Sequence, residues 1–353
     1  MKMKFLALLP LSAILFFSCA ACSLPFGSDP APSELSLLSW NVQNLFDDVS
    51  DGGEYGEFDP AGGTWTGALF RKRLNRIEEV FDEVLESHPQ IVLLQEIENL
   101  NTLEILGKEV FRDRYPWRVL FEEKDMSVHT AVLSSLPIVS TARLETGYWG
   151  RIRLRPIQEI HFDLEGTELI VFNNHWKSKS GGAGATEEGR IAAARVLVGR
   201  IRSILDENPD ALIVAGGDFN ENHDEYKRIG RSYRTALIPV IEDVPVEWSD
   251  SLYLCSDGSD STSRGDRLVL YSPWFDSHRA GTYVYKSQWS KIDHFFLWKS
   301  FFDGSGYEFS DFDVVREVPL VNEYKYPARW DYRTEEGYSD HLPILLKIEN
   351  NDV

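Results

Sequence analysis

Residues 211–220 read Ala-Leu-Ile-Val-Ala-Gly-Gly-Asp-Phe-Asn. An apolar run this short, closed by two glycines, is the pattern of a strand buried on both faces rather than of a helix. Its first polar side chains, Asp218 and Asn220, stand just past the end of the run. That is where a layered α/β fold exposes groups to a cleft. The design recurs outward in both directions, in apolar runs at 35–39, 91–94, 129–133, 169–172, 292–297 and 342–348. The run before Trp40 leads into Asn41, Gln43 and Asn44, and Ile91–Leu94 leads into Gln95 and Glu96. Leu169–Phe172 is followed by Asn173, Asn174 and His175, with Lys177 and Lys179 beyond. Ile292 precedes Asp293, and Ser339-Asp340-His341 opens the last run.

Between the runs lie two amphipathic helical patterns. Over 68–87, Leu69, Leu74, Ile77, Val80, Phe81, Val84 and Leu85 recur at helical spacing, with Pro89 beyond the end. Over 187–207, Ile191, Ala194, Val198, Ile201 and Leu205 do the same, with Thr186 as the expected N-cap. A weaker helix is expected over 102–111 behind Asn101, and 48–67 and 256–266 read as surface loops. No fixed-period repeat and no internal linker appears. The expectation is one α/β domain over 34–350, built of layered sheets.

The N-terminus has a different character. Lys2 and Lys4 precede an apolar run from Phe5 to Phe17, then Ser18, Cys19, Ala20, Ala21 and Cys22. This is the pattern of an export signal, too short for a comfortable membrane span. A cysteine at the edge of such a run resembles a bacterial lipobox. Residues 1–18 are therefore expected to be a lipoprotein signal peptide and 19–33, rich in Pro, a tether. Cys19 is the expected lipidation site, ahead of Cys22, which would place the protein outside the cytoplasm, held to the cell-envelope membrane. The third cysteine, Cys255, then has no partner in the domain, so the fold does not depend on disulfides.

A chain of 353 residues with 43% hydrophobic and 12% aromatic residues can bury a large core, which excludes disorder. Its 36 Lys and Arg against 56 Asp and Glu give a net charge of −20, the wrong sign for coating nucleic acid by charge alone. A phosphate-bearing substrate must be held by a local basic patch, a metal ion, or both. Basic residues do cluster, at Arg71, Lys72, Arg73 and Arg76, at Arg151, Arg153 and Arg155, and at Lys177 and Lys179. The Lys177 and Lys179 pair beside His175 is the better phosphate contact, and Arg190, near a helix start, is expected to face the cleft. Arg200 and Arg202 read as a solvated face.

Each polar residue at a strand end is ordinary alone, since Asn there usually caps its own backbone. Together they supply what metal-assisted phosphoryl transfer requires: hard oxygen ligands, a carboxylate and an amide to aim water, and a histidine donor for the developing charge. The ordered set Trp40-Asn41-Val42, Gln95-Glu96, Asn174-His175-Trp176-Lys177-Ser178, Gly217-Asp218-Phe219-Asn220, Lys291-Ile292-Asp293 and Ser339-Asp340-His341 resembles the endonuclease/exonuclease/phosphatase family. The likeness spans 36–346. It implies a four-layer αββα sandwich of two packed mixed β-sheets flanked by helices. It implies Mg²⁺, or Mn²⁺, on Glu96 with Asn41, and Asp340 beside the metal. Asp218 would orient or deprotonate water, and Asn220 would fix Asp218 and a phosphate oxygen. His341 would donate to the phosphate, with Asp293 holding its tautomer and charge. His175 would act on the leaving oxygen, while Asn41, Lys177 and Arg190 contact substrate.

Two departures narrow the substrate. Gln43 stands where abasic-site endonucleases of the family keep an acid, and His175 stands where they keep Tyr. His175 with Lys177 and Lys179 is more similar to secreted bacterial nucleases of the family. The first expectation is an exported nuclease cutting DNA or RNA. The second is a phospholipid or inositol-phosphate phosphohydrolase, for which Trp65 and the Trp274-Phe275 pair are candidate membrane contacts. The third is a surface lipoprotein that only binds, against which the complete catalytic set argues. No obligate protein partner is inferred.

Overall fold

Every one of these apolar runs forms a strand. The computed structural model describes residues 32–241, 244, 248–264 and 267–352. The signal segment 1–18 and most of the tether, including Cys19 and Cys22, lie outside the described residues. A six-stranded sheet is ordered Tyr307–Val314, Ile344–Asn350, Glu34–Leu45, Ile91–Ile97, His129–Ser134, Trp117–Leu120. Glu34–Leu45 at its centre pairs antiparallel with Ile344–Asn350 and parallel with Ile91–Ile97, so the sheet is mixed. A second, nine-stranded sheet runs Leu237–Pro239, Leu252–Cys255, Arg267–Tyr271, Asp293–Leu297, Leu212–Asp218, Thr167–His175, Ile157–Leu164, Ile138–Leu144, with Thr262–Arg264 added beside Arg267–Tyr271. Here too the central strand is mixed: Leu212–Asp218 runs parallel to Thr167–His175 and antiparallel to Asp293–Leu297.

The sheets pack face to face. A methyl group at Gly216 would come within 2.7 Å of both Leu93 in the first sheet and Phe295 in the second, so only glycine fits. Gly217 has φ +131 and a Cβ there would fall 2.1 Å from the Asn174 carbonyl. A buried polar lock also crosses the interface. Gln95 Nε2 donates to Asn173 Oδ1 at 2.9 Å, and Asn173 Nδ2 donates to the Ala131 carbonyl at 2.9 Å. Asn173 thus joins the sheets rather than lining the cleft. The outer face of the second sheet, through Ile170, Phe172, Ile213, Ala215 and Phe296, buries Ile191, Leu197, Ile201 and Leu205 of the helix Ala183–Glu207 in one core. The result is an α/β sandwich of two packed mixed sheets with few helices.

Helix boundaries shift from those expected. The helix Gly67–Glu79 continues as a π-helical turn, Val80–Val84, which ends before Pro89. Helix Ala183–Glu207 starts three residues earlier than Thr186, behind Gly182, and the Thr186 hydroxyl donates back to the carbonyls of Gly182 and Ala183 instead of capping. Leu100–Ile105 is capped by Asn99, whose side chain accepts from Thr102 N–H at 2.8 Å, not by Asn101. Trp65 and Trp274 are buried, their indole N–H groups donating to backbone carbonyls of Asp47 and Asp293. Neither is available to a membrane.

Candidate active site

Strand register brings the polar ends together. Asp218 lies opposite His175 on one side and opposite Asp293 on the other, so three side chains separated in sequence meet at one edge of the second sheet. In the first sheet Asn41 pairs with Gln95, and both strands then become irregular, between Asn41 and Leu45 and between Gln95 and Ile97. Gln43, Asn44 and Glu96 in those irregular stretches have φ of 56, 53 and 68, and Asn220 past the second sheet has φ 53. Left-handed backbone at non-glycine residues costs about 1–3 kcal/mol each and gathers at functional sites.

Asn41 joins the two sheets' contributions. Its Oδ1 accepts from Gln43 N–H at 3.0 Å, the expected local cap, which leaves Nδ2 to donate to Glu96 Oε1 and Asp218 Oδ2, each at 3.1 Å. The other Glu96 oxygen accepts from Asn44 N–H at 2.9 Å. Burial and the neighbouring Asp340 carboxylate push the Glu96 pKa up. Asp218 Oδ1 accepts from Asn220 N–H at 2.8 Å. Burial raises the Asp218 pKa to about 7, with Asp293 adding to the rise and His341 opposing it. Asn220 thus steadies Asp218 through its backbone, while its amide donates to the Trp176 carbonyl at 3.2 Å.

The two histidines are poised oppositely. His341 Nδ1 is 2.9 Å from Asp293 Oδ2, which also accepts from the Thr282 hydroxyl, and Tyr283 packs on the imidazole at 4.8 Å. Burial disfavours the imidazolium, but Asp293, Asp218 and Asp340 together hold the His341 pKa well above the ordinary histidine range. With Nδ1 given to Asp293, Nε2 is left 4.0 Å from Asp218. His175 Nε2 is 3.7 Å from Asp218 and 3.9 Å from Glu96, and its buried Nδ1 has no partner. Burial, with the charges of Arg155, His341 and Lys177, holds the His175 pKa well below the ordinary range. Titratable groups whose surroundings push them apart in this way can divide acid and base roles.

Ser339 Oγ donates to the Asn41 carbonyl at 2.6 Å and accepts from His341 N–H at 3.0 Å, while Asp340 N–H donates to Gln43 Oε1 at 2.9 Å. These bonds tie the last segment of the site to the first strand. Arg73 fastens them from beneath. It is fully buried, stacks 5.0 Å from Trp330, and donates to the carbonyls of Val42, Gln43 and Tyr338. Burial lowers its pKa to about 9, against the pull of Asp340 and Glu96. In sequence Arg73 reads as one of the basic cluster Arg71, Lys72, Arg73 and Arg76. Nothing local reveals it as the brace of the site.

Arg190 does not face the cleft. It is fully buried and bonded to Glu187, Glu221, Thr186 and the carbonyls of Lys177 and Ala183. The opposing carboxylate Glu221 comes from a distant segment that no helix pattern reveals. Lys179 is taken by Glu225 at 2.7 Å, whereas Lys177 lies over the Trp149 ring at 5.3 Å beside the site. Arg155, whose charge reaches Glu96, His175 and Lys177, has a buried Nε without a partner and no ion pair among the described residues. It is the cation of the cleft that the spacing of its arginine cluster conceals. Next to Gln43 and Asn44 opens a cavity of about 490 Å³ that Arg329, Trp330, Tyr332 and Arg333 line.

Asp218, Asp293 and His341 offer donor atoms within 4.8 Å of one another, but the Nδ1–Oδ2 hydrogen bond makes them a dyad beside a base rather than a ligand set. The donors around Glu96 suit a hard divalent cation better. Among the described residues Glu96 receives hydrogen bonds only from neutral amides, and it has a second carboxylate, Asp340, near enough to raise its pKa. A cation would relieve that repulsion, and oxygen donors are what Mg²⁺ and Mn²⁺ take.

These strand ends define a sandwich whose two sheets share one acid-, amide- and histidine-lined cleft. A family model described as Endonuclease/Exonuclease/phosphatase family matches residues 36–232, and the chain belongs to that family. It is similar to the 5'-tyrosyl-DNA phosphodiesterase of Caenorhabditis elegans, 23% identical over 196 residues that make up 56% of this chain and 45% of that protein. The match thus spans less than half of that relative's length. Truncated C. elegans TDP2 superposes with a TM-score of 0.54 at 16% identity, covering 90% of this chain and 98% of that one. D. rerio TDP2 complexed with single strand DNA product gives 0.55 at 14%, covering 90% and 100%. The endonuclease/exonuclease/phosphatase from Bacteroides vulgatus gives 0.54 at 15%, covering 91% and 100%. At these identities the likeness to solved structures is one of fold.

Proposed function

We propose that the protein is a divalent-metal-dependent phosphodiester hydrolase acting on nucleic acid, exported and held at the cell envelope by a lipid on Cys19. The observation that carries the activity is the meeting of Glu96, Asn41, Asp218, His175 and the His341–Asp293 dyad over one cleft. Glu96 and Asp340, with Asn41, would hold Mg²⁺ or Mn²⁺, which when bound supplies Lewis-acid stabilisation of phosphoryl charge. Asp218, with a pKa near 7, is matched to take a proton from the attacking water at neutral pH. Asn41 and Asn220 keep its carboxylate aimed. His341, charged through Asp293, directs Nε2–H to a non-bridging phosphate oxygen as negative charge builds there. His175 is neutral, and its Nε2, facing the two carboxylates, steadies the leaving oxygen by hydrogen bonding.

The nucleic-acid reading rests on charges placed away from the reacting phosphate. Arg155 and Lys177 lie near His175, and Arg329 and Arg333 line the cavity beside Asn44, so neighbouring phosphates of a strand find cations despite the net charge of −20. Burial of Trp65 and Trp274 removes the two tryptophan contacts on which the lipid-substrate reading drew. Plasmid DNA, RNA, sphingomyelin and inositol phosphates incubated with the full chain, in Mg²⁺ and in EDTA, test the reading. Cleavage of DNA or RNA that EDTA abolishes is expected; hydrolysis of the lipid or inositol phosphates alone overturns the substrate. Retention of a Cys19→Ala, Cys22→Ala double variant in the detergent phase would refute the anchor.

A further inference from the structure

The loop 48–66 and the end of strand Ile91–Ile97 bring together a second group of acids, Asp51, Glu54 and Glu98. Asp51, Glu54 and Glu98 each present a carboxylate oxygen, all within 4.8 Å of one another. Carboxylates at that spacing repel when ionised, and burial, with Asp47, Asp51 and Glu54, pushes the Glu98 pKa up to about 8; among the described residues no Lys, Arg or His forms an ion pair with any of the three. The partners they have are neutral: Asp51 N–H and Gly52 N–H on Glu54, Gly53 N–H and the Asn99 amide on Asp51. Glu98 is the independent sign that a ligand belongs here. It is only 4% exposed and lines the cavity, of about 420 Å³, that Asp51, Asn99, Glu122, Lys124 and His129 also line. One of its oxygens accepts from Asp47 N–H at 2.7 Å, while the other, Oε1, is buried with no hydrogen-bond partner. A buried carboxylate oxygen left bare costs more than a hydrogen bond returns.

We propose that Asp51, Glu54 and Glu98 form a second divalent-cation site, of calcium's class, distinct from the Glu96 site. Oxygen donors alone and a glycine-containing loop suit Ca²⁺, which accepts six to eight oxygens in adaptable geometry, better than Mg²⁺, which demands a near-ideal octahedron. The cation would clamp the 48–66 loop to the strand two residues beyond Glu96. That loop is already continuous with Asn44, whose N–H holds Glu96, so the clamp would brace one wall of the catalytic cleft without touching substrate. This site does not depend on the catalytic reading.

Calorimetric titration of the full chain with Ca²⁺ tests it, in a Glu96→Gln background that disables the catalytic metal site. One Ca²⁺ per chain is expected there, with a Kd of about 0.1–1 mM as in extracellular modules. Ca²⁺ at about 100 times Kd should raise Tm by about 2–4 °C. Adding Asp51→Asn and Glu54→Gln, both on the surface loop, should weaken binding at least about tenfold and remove the Tm rise, with the circular dichroism in EDTA unchanged. Asp51→Asn alone, the milder variant, should weaken binding less. Binding in the triple variant as tight as in Glu96→Gln, or no Ca²⁺ bound by Glu96→Gln, overturns the site.

Discussion

Replacing Asp293 by Asn separates the charge of the cleft from its shape. Asp293 is fully buried, and its Oδ2 receives both the His341 ring at 2.9 Å and the Thr282 hydroxyl. An asparagine oxygen in that position accepts the same hydrogen bonds, so the imidazole keeps its place while the negative charge is lost. At an effective dielectric of about 20, unit charges about 4 Å apart attract by about 4 kcal/mol, equivalent to about three pKa units of His341. Asp218 and Asp340 still favour the imidazolium, so part of its stabilisation survives. A fall in kcat of about 10- to 1,000-fold is expected, against about 10²–10⁴ for His341→Ala, the range for a positioned acid–base group. Because Asp293 works through His341, the double variant should lie within about threefold of His341→Ala. The assay is kcat on a labelled oligonucleotide for both single variants and the double, with circular dichroism to establish folding. Losses that multiply would show that the residues act independently, and an Asp293→Asn enzyme at full rate would refute the charge argument altogether.

Arg73→Met should cost about 2–4 kcal/mol of stability, because three backbone carbonyls lose their donor, and urea midpoints measure it. An unchanged midpoint would mean that Arg73 does not brace the site. Arg329→Ala with Arg333→Ala should raise KM for single-stranded DNA, leave kcat near wild type, and reduce the slope of log Kd against log salt by about 1.4. Equal slopes would exclude phosphate contact there. Glu159 gives a pH test. Burial opposes its charge, but Arg200 and His161 outweigh it and depress the carboxyl from 4.5 to about 2. A depressed folded pKa contributes stability above pH 4.5 that is lost as pH falls towards 2. Glu159→Gln should therefore be less stable by about 1–3 kcal/mol at pH 7 and converge on wild type near pH 2. A constant difference across that range would contradict the assignment.

The strand ends were legible because these strands are buried on both faces, so polar residues gathered at the ends of the apolar runs mark where the chain reaches the cleft, although Gln95 and Asn173 among them lock the sheets together instead. Asn41, Glu96, His175, Asp218, Asp293 and His341 reach one place for that reason, and register does the rest. What stayed hidden depends on partners far away in sequence. Arg190 lies well inside the helix Ala183–Glu207, which begins earlier than expected, and Glu221 draws it inward. Arg73 looks like the other members of its basic cluster until its three carbonyl partners, two of them in the first strand, are in place. Irregular strand pairing hides too: nothing in the apolar pattern marks the left-handed turns at Gln43, Asn44 and Glu96 that point amides and a carboxylate at the same spot. Caps slipped by a few residues because Asn99 and Asn101 are chemically equal and only geometry chooses between them.

The central claim is that Asp218 activates water at a divalent-metal phosphodiesterase centre. Single-turnover cleavage of a labelled single-stranded DNA by wild type and by Asp218→Asn, each in Mg²⁺ and in EDTA, tests it most directly. Cleavage by wild type in Mg²⁺ alone, slowed by about 10³-fold or more in Asp218→Asn with DNA binding intact, is the predicted result. Cleavage that persists in EDTA, or an Asp218→Asn protein that cuts as fast as wild type, would contradict the account.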